Sequence, residues 1–146
     1  MDADGGGVRN LTDHPARDAF PVVSPHGDLI AFASDRDGGQ PQLFEIYLLS
    51  LEPDGSQGSV RQITHNGMQN AHPYFSPDES WLVFSSGMGG INDEEPLVQS
   101  SIFAPQMCGE LYAYRLADGL LVRLIHDKWE DGLPSWVSGG ADSAGR

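Results

Sequence analysis

One cysteine, Cys108, and one lysine, Lys128, occur in the 146 residues. A lone cysteine cannot close an internal disulfide, and it leaves the redox compartment open. Scarcity of basic residues has a larger consequence. Eight Lys and Arg stand against 21 Asp and Glu, a formal net charge of −13. Such a surface repels phosphate backbones and anionic lipid, so nucleic acid and membrane surfaces are excluded as expected partners. No apolar run approaches the ~18 residues that a membrane span needs, which excludes membrane insertion by a helix. Met1–Gly7 carries neither a basic region nor an apolar stretch and does not read as a secretory signal. Apolar periodicity of helical type is missing as well. Turn formers are plentiful, with 18 glycines and 10 prolines, and 39% of residues are hydrophobic, which points to a packed chain of many short strands.

The strands come in repeats. Pro21, Pro73 and Pro134 serve as anchors, 52 and 61 residues apart. Nine residues before them lie Thr12, Thr64 and Ile125, three before them Asp18, Asn70 and Asp131, and two after them Val23, Phe75 and Trp136. The first two copies continue in step. Ser24-Pro25-His26-Gly27 matches Ser76-Pro77-Asp78-Glu79, Leu29–Ser34 matches Trp81–Ser86, and Glu45-Ile46-Tyr47 matches Glu110-Leu111-Tyr112. Ser34 lies 11 residues before Glu45 but Ser86 lies 24 before Glu110, so the second copy carries a 13-residue insertion, which belongs in a rim loop.

Each unit reads as four strands, a to d: in the first copy Pro21–Ser24, Leu29–Ser34, Phe44–Leu51 and Val60–Thr64. Strand b is apolar at nearly every position, as in a sheet covered on both faces. Four-stranded units that bury their faces on one another describe propeller blades. The expected fold is all-β: a partial β-propeller of two complete four-stranded antiparallel blades with a flanking strand at each end. Residues 13–64 form blade one, 65–125 blade two and 126–138 the start of a third. Val8–Thr12 is an isolated strand d, and 1–7 and 139–146 are expected to be disordered. Outer blades with one bare face should drive self-association to complete the propeller.

The matched residues resemble the TolB-like propeller repeat, also called the WD40-like or PD40 repeat, over about residues 8–138. The resemblance rests on Leu11-Thr12, Asp18, Pro21, Ser24-Pro25-His26-Gly27, Ile30-Ala31-Phe32, Ser34-Asp35-Arg36 and Ile46-Tyr47. Ile63-Thr64, Pro73, Phe75-Ser76-Pro77-Asp78 and Val83-Phe84 carry it in the second copy. The loop Trp129-Glu130-Asp131-Gly132 and the insertion are similar to a subgroup labelled Tol biopolymer transport component. The resemblance implies a binding module with protein partners in a family that is usually periplasmic or secreted. Related propellers imply two alternatives: a metal-dependent lyase with histidines at the channel mouth, or the accessory propeller of a prolyl-oligopeptidase-type peptidase.

Candidate binding residues sit in the loops joining strand d to strand a: Asp18, then His65, Asn70 and His72, then His126, Glu130 and Asp131. The series Asp18, Asn70, Asp131 also has an architectural reading, in which a short Asx side chain accepts backbone N–H bonds and fixes each loop. The histidines lack the close spacing of a zinc motif, so no metal or other cofactor is assigned. Asp93, Glu94 and Glu95 in the insertion are further candidate binding residues; they lack the Asp-x-Asp frame of a calcium loop and read as a solvated acidic stretch of a partner-contacting loop whose apolar half needs cover. No catalytic residue is assigned: Ser24 and Ser76 recur in turns, and Cys108 has no basic neighbour in sequence.

Overall fold

The computed structural model describes residues 3–37, 43–89, 109–126 and 131–137. Eight strands fill them: β1 (Asp18–Val23), β2 (Leu29–Ser34), β3 (Glu45–Leu51), β4 (Gln57–Gln62), β5 (Asn70–Phe75), β6 (Trp81–Ser86), β7 (Glu110–Arg115) and β8 (Leu121–Arg123). They form two antiparallel meanders, ordered β1-β2-β3-β4 and β5-β6-β7-β8. Among the described residues no helix is long and apolar enough to cross a membrane.

The repeat in sequence is a repeat in register. Phe32 pairs with Tyr47 and Ala31 with Leu48 in the first sheet; Phe84 pairs with Tyr112 and Val83 with Ala113 in the second. The turns between first and second strands are also alike. Gly27 N donates to Ser24 O, and Glu79 N to Ser76 O, both at 2.9 Å. The serine hydroxyls accept from Leu29 N at 3.1 Å and from Trp81 N at 2.9 Å, which explains why Ser24 and Ser76 recur. Gly27 adopts φ 80° and Glu79 φ 54°, so the same left-handed turn is built once with glycine and once with a strained carboxylate.

β2 is apolar from Leu29 to Ala33 because both its faces are covered. On one side Ala31 and Ala33, with Ile46 and Leu48 of β3, meet Phe75, Leu82, Phe84 and Tyr112 of the second sheet. On the other, Phe32, Tyr47 and Leu49 form a smaller core with Leu11, Ile30, Leu51 and Val60 packed against it. Strand alternation assigns successive residues to opposite faces, so one short segment serves two cores.

Two expectations need correction. Residues 8–12 and 134–137 lie in no strand; residue 138 is outside the described set. A strand exists through its neighbours' hydrogen bonds, and here the N–H of Thr12 goes instead to Asn10 Oδ1 at 3.2 Å. Nor is the outer face of the first sheet bare. Phe32, Tyr47 and Leu49 are 3%, 2% and 1% exposed. The Arg36 guanidinium lies 5.0 Å from the Phe32 ring centroid and 5.1 Å from that of Tyr47, capping both by cation–π contact. Residues 3–7 form an exposed turn in which Gly6 N donates to Asp4 Oδ1 at 2.9 Å.

Candidate functional site

β1 and β5 are the innermost strands and lie side by side. Each carries a bulge against its neighbour, between Ala19 and Val22 and between Ala71 and Tyr74. At these bulges Phe20 has φ 54° and His72 φ 52°, and Leu133, the matching residue of the third copy, has φ 53°. All three immediately precede an anchor proline. The proline ring disfavours right-handed helical backbone for the residue before it. A bulky side chain in the left-handed region costs about 1–3 kcal/mol, so the conformation persists only where its surroundings enforce it.

The bulges bring two of these side chains together. The rings of Phe20 and His72 sit with centroids 4.2 Å apart, tilted by 52°. Phe20 is 40% exposed and Leu133 73%. His72 is half-buried, and its Nδ1 has no hydrogen-bond partner among the described residues. Desolvation draws its pKa below the ordinary 6.5, which favours the neutral imidazole.

Asp18, Asn70 and Asp131 begin the same segments but do not behave as simple acceptors. Asn70 is fully buried. Its Nδ2 donates toward Phe44 O at 2.9 Å, Glu45 Oε2 at 3.0 Å and Met68 O at 3.1 Å, and its Oδ1 accepts from Asn66 Nδ2 at 3.1 Å. The expected role of accepting backbone N–H bonds is therefore reversed at this position: the amide donates, and it donates across the junction. Glu45 completes the lock by accepting from Gly67 N at 2.7 Å. Asp18 accepts from Arg36 Nη2 at 3.0 Å. Burial pushes its carboxyl up, but hydrogen bonds from Ser34 and Thr12 and the Arg36 charge outweigh that and leave its pKa lowered. Asp131 N donates to Gly109 O at 2.8 Å, just as Asn70 N donates to Phe44 O at 2.9 Å.

His65 and His126 are exposed, whereas His72 is half-buried. Among the described residues no three His, Cys, Asp or Glu side chains gather where they could hold a metal ion. The lyase alternative needs such convergence and does not find it there. Glu130, Asp93, Glu94 and Glu95 lie outside the described residues, as do Cys108 and most of the insertion.

At the opposite rim, between the first turns of the two sheets, His26 Nδ1 pairs with Glu79 Oε2 at 2.7 Å, and the backbone N–H of His26 donates to the same carboxylate. The arrangement as a whole offers a repeated scaffold presenting unlike side chains, the geometry of recognition. Phe20 and Leu133 escaped the sequence reading, which looked for polar residues. The available signal was their position directly before each anchor proline.

No family model matches the sequence. The chain is 37% identical over 68 residues to the Tol-Pal system protein TolB of Campylobacter jejuni, covering 47% of this chain and 15% of that protein. It is 27% identical over 121 residues to an uncharacterized peptidase, YuxL, of Bacillus subtilis, covering 64% of this chain and 18% of that one. Among solved structures, a TolB of Agrobacterium tumefaciens superimposes with a TM-score of 0.60 at 26% identity, over 86% of this chain and 39% of that one. A puromycin-hydrolyzing peptidase of Mycobacterium tuberculosis gives 0.61 at 18% identity, over 85% and 16%, a likeness of fold alone. The chain thus spans less than a fifth of the length of these curated relatives.

The two sheets are β-propeller blades, and the described residues are all-β. In sequence and fold they are similar to proteins named TolB, which supports a TolB-like propeller.

Proposed function

We propose that this chain acts as a non-catalytic protein-binding module of the TolB-like propeller type, and that Phe20, His72 and Leu133 form the centre of its contact surface. One observation carries the reading: the backbone at these positions is constant, φ 52–54°, while the side chains differ. Constant strained backbone is architecture. Freely varied side chains upon it are what a recognition surface requires, since specificity needs differences and affinity needs preorganisation. A phenyl ring, a neutral imidazole and a leucine side chain would take an apolar segment flanked by hydrogen-bond donors.

The name of the Campylobacter relative places that protein in the Tol-Pal system, and Pal is accordingly the first partner to try. Calorimetric titration of the full chain with Pal should give saturable binding that Phe20→Ala weakens at least tenfold without loss of folding. An absence of binding, or indifference to Phe20, refutes the Pal reading. The likeness to YuxL supports a second reading, an accessory propeller that faces a peptidase domain. In that case short peptides, and not Pal, should bind at the same row of side chains.

A further inference from the structure

β8 ends its sheet: it pairs with β7 on one side, and among the described residues no strand lies on the other. The phase of its hydrogen bonds follows from its two ends. Leu124 N donates to Leu111 O and Arg115 N to Leu120 O, both at 2.8 Å. Opposed residues of an antiparallel ladder alternate between bonded and unbonded pairs. Leu120, Val122 and Leu124 therefore turn their backbone groups to β7, and those of Leu121 and Arg123 point outward. Sheet edges of this kind are ordinarily guarded by charge. β4, the matching strand of the first sheet, presents exposed Ser59 and Arg61. Arg61 pairs with Leu48 and Val122 with Ala113, the same position of the third strand, so β8 carries Leu120 and Val122 where β4 carries Ser59 and Arg61. Leu120 is 43% and Val122 38% exposed. Ser59 and Arg61 stay exposed although the second sheet follows them, so this exposure belongs to the outer place of the strand and not to what comes next in the chain. The one charge in β8 is turned back from the edge. Arg123 Nη2 pairs with Glu110 Oε1, and its Nε donates to Ile125 O at 2.8 Å.

We propose that β8 is a self-association edge, at which two copies of this chain pair their β8 strands antiparallel about a two-fold axis at Val122. Two separate conditions are met in that one register. Bonding the outward groups of Leu121 to those of Arg123 in the second copy sets Val122 against Val122 and Leu120 against Leu124, apolar on apolar. Charge selects the same alignment. Sliding the strands to the next bonded register one way sets the two Arg123 side chains directly opposite each other, and the other way runs Arg123 onto the turn at Gly119. A strand complementary to itself fits a second copy, as an isologous contact requires. Two chains of net charge −13 repel each other. A pairing this short also buries less than the ~1,200 Å² of a stable dimer. The contact is therefore weak and is strengthened by salt, the reverse of a contact made by ion pairs.

Sedimentation of the full chain should show a monomer–dimer equilibrium at concentrations on the order of 100 μM. Raising salt from about 50 to about 500 mM should tighten it several-fold. Val122→Lys sets two ammonium groups together at the axis and should weaken the dimer at least tenfold while leaving the unfolding midpoint unchanged. Val23→Lys, at an exposed position of β1, should leave the dimer unchanged. The register has its own test. In a Cys108→Ser background, Val122→Cys should form an interchain disulfide on oxidation, because opposed residues of an unbonded pair lie ~4.5 Å apart at Cα, within disulfide reach. Leu121→Cys should not. A chain that stays monomeric throughout, or a dimer indifferent to Val122→Lys, overturns the proposal. So does a dimer that Val23→Lys removes, or a Leu121→Cys chain that cross-links in preference to Val122→Cys.

Discussion

Asn70 Nδ2 lies 3.0 Å from Glu45 Oε2, joining the first residue of β5 in the second sheet to the first residue of β3 in the first, with both side chains buried. The pair is the polar counterpart of the Leu48–Phe84 side of the junction. Truncation to Asn70→Ala would strand a buried carboxylate and several carbonyls. We expect a loss of about 2–4 kcal/mol in urea unfolding, the range for breaking one partner of a buried charged hydrogen bond. A loss below about 0.5 kcal/mol would mean that the junction does not depend on this contact.

Phe84 is fully buried at that junction, and Phe84→Ala should cost about 3–5 kcal/mol, because the cavity opens between two β-sheets with little freedom to close. Thermal and urea unfolding should agree on the sign. Leu121→Ala, on the exposed β8 strand, should be nearly silent by comparison.

The bulge gives a prediction with opposite outcomes for two small changes. At φ 52°, glycine relieves His72's backbone strain and a β-branched residue aggravates it. His72→Gly should keep stability within about 1 kcal/mol of the parent, whereas His72→Val should lose about 1–3 kcal/mol. Parallel unfolding curves of the two variants decide this. Equal losses would show that the left-handed backbone is not enforced.

Two histidines should push stability in opposite directions with pH. The side-chain hydrogen bond to Glu79, aided by its charge, raises the His26 pKa above 6.5. The His26 contribution is therefore full below pH 6.5 and fades as pH rises through the raised value. His72 is lowered by desolvation. Its contribution is full above pH 6.5 and fades as pH falls through the lowered value. In melting curves taken across this range, His26→Gln should remove the decline on the alkaline side and His72→Gln the decline on the acid side. A variant that leaves its own limb unchanged contradicts the assignment.

The β-strands and their pairing were legible because each pattern occurs twice in the chain. A motif such as Ser24-Pro25-His26-Gly27 states a turn, and its echo at Ser76-Pro77-Asp78-Glu79 fixes the register between copies. The terminal segments were harder. Val8–Thr12 has the composition of a strand, but strand formation is settled by a neighbour's backbone, which composition does not reveal. The Asx series was legible as architecture but not in polarity: whether Asn70 gives or takes depends on Glu45, 25 residues away in sequence and adjacent only after two sheets have packed. Arg36 stands in the sequence only as part of the Ser34-Asp35-Arg36 motif, and folding lays it across Phe32 and Tyr47. His72 was legible as a candidate, but its proposed companions Phe20 and Leu133 were not, for a related reason. Repetition marks what is constant, and Phe20, His72 and Leu133 are where the side chain is not.

The most direct test of the account is a nuclear Overhauser measurement between the ring protons of Phe20 and His72 in the folded chain. Ring centroids 4.2 Å apart should give strong cross-peaks linking the innermost strands of the two blades. Absence of those cross-peaks, with both rings assigned and the strands intact, would contradict the convergence on which the binding surface depends.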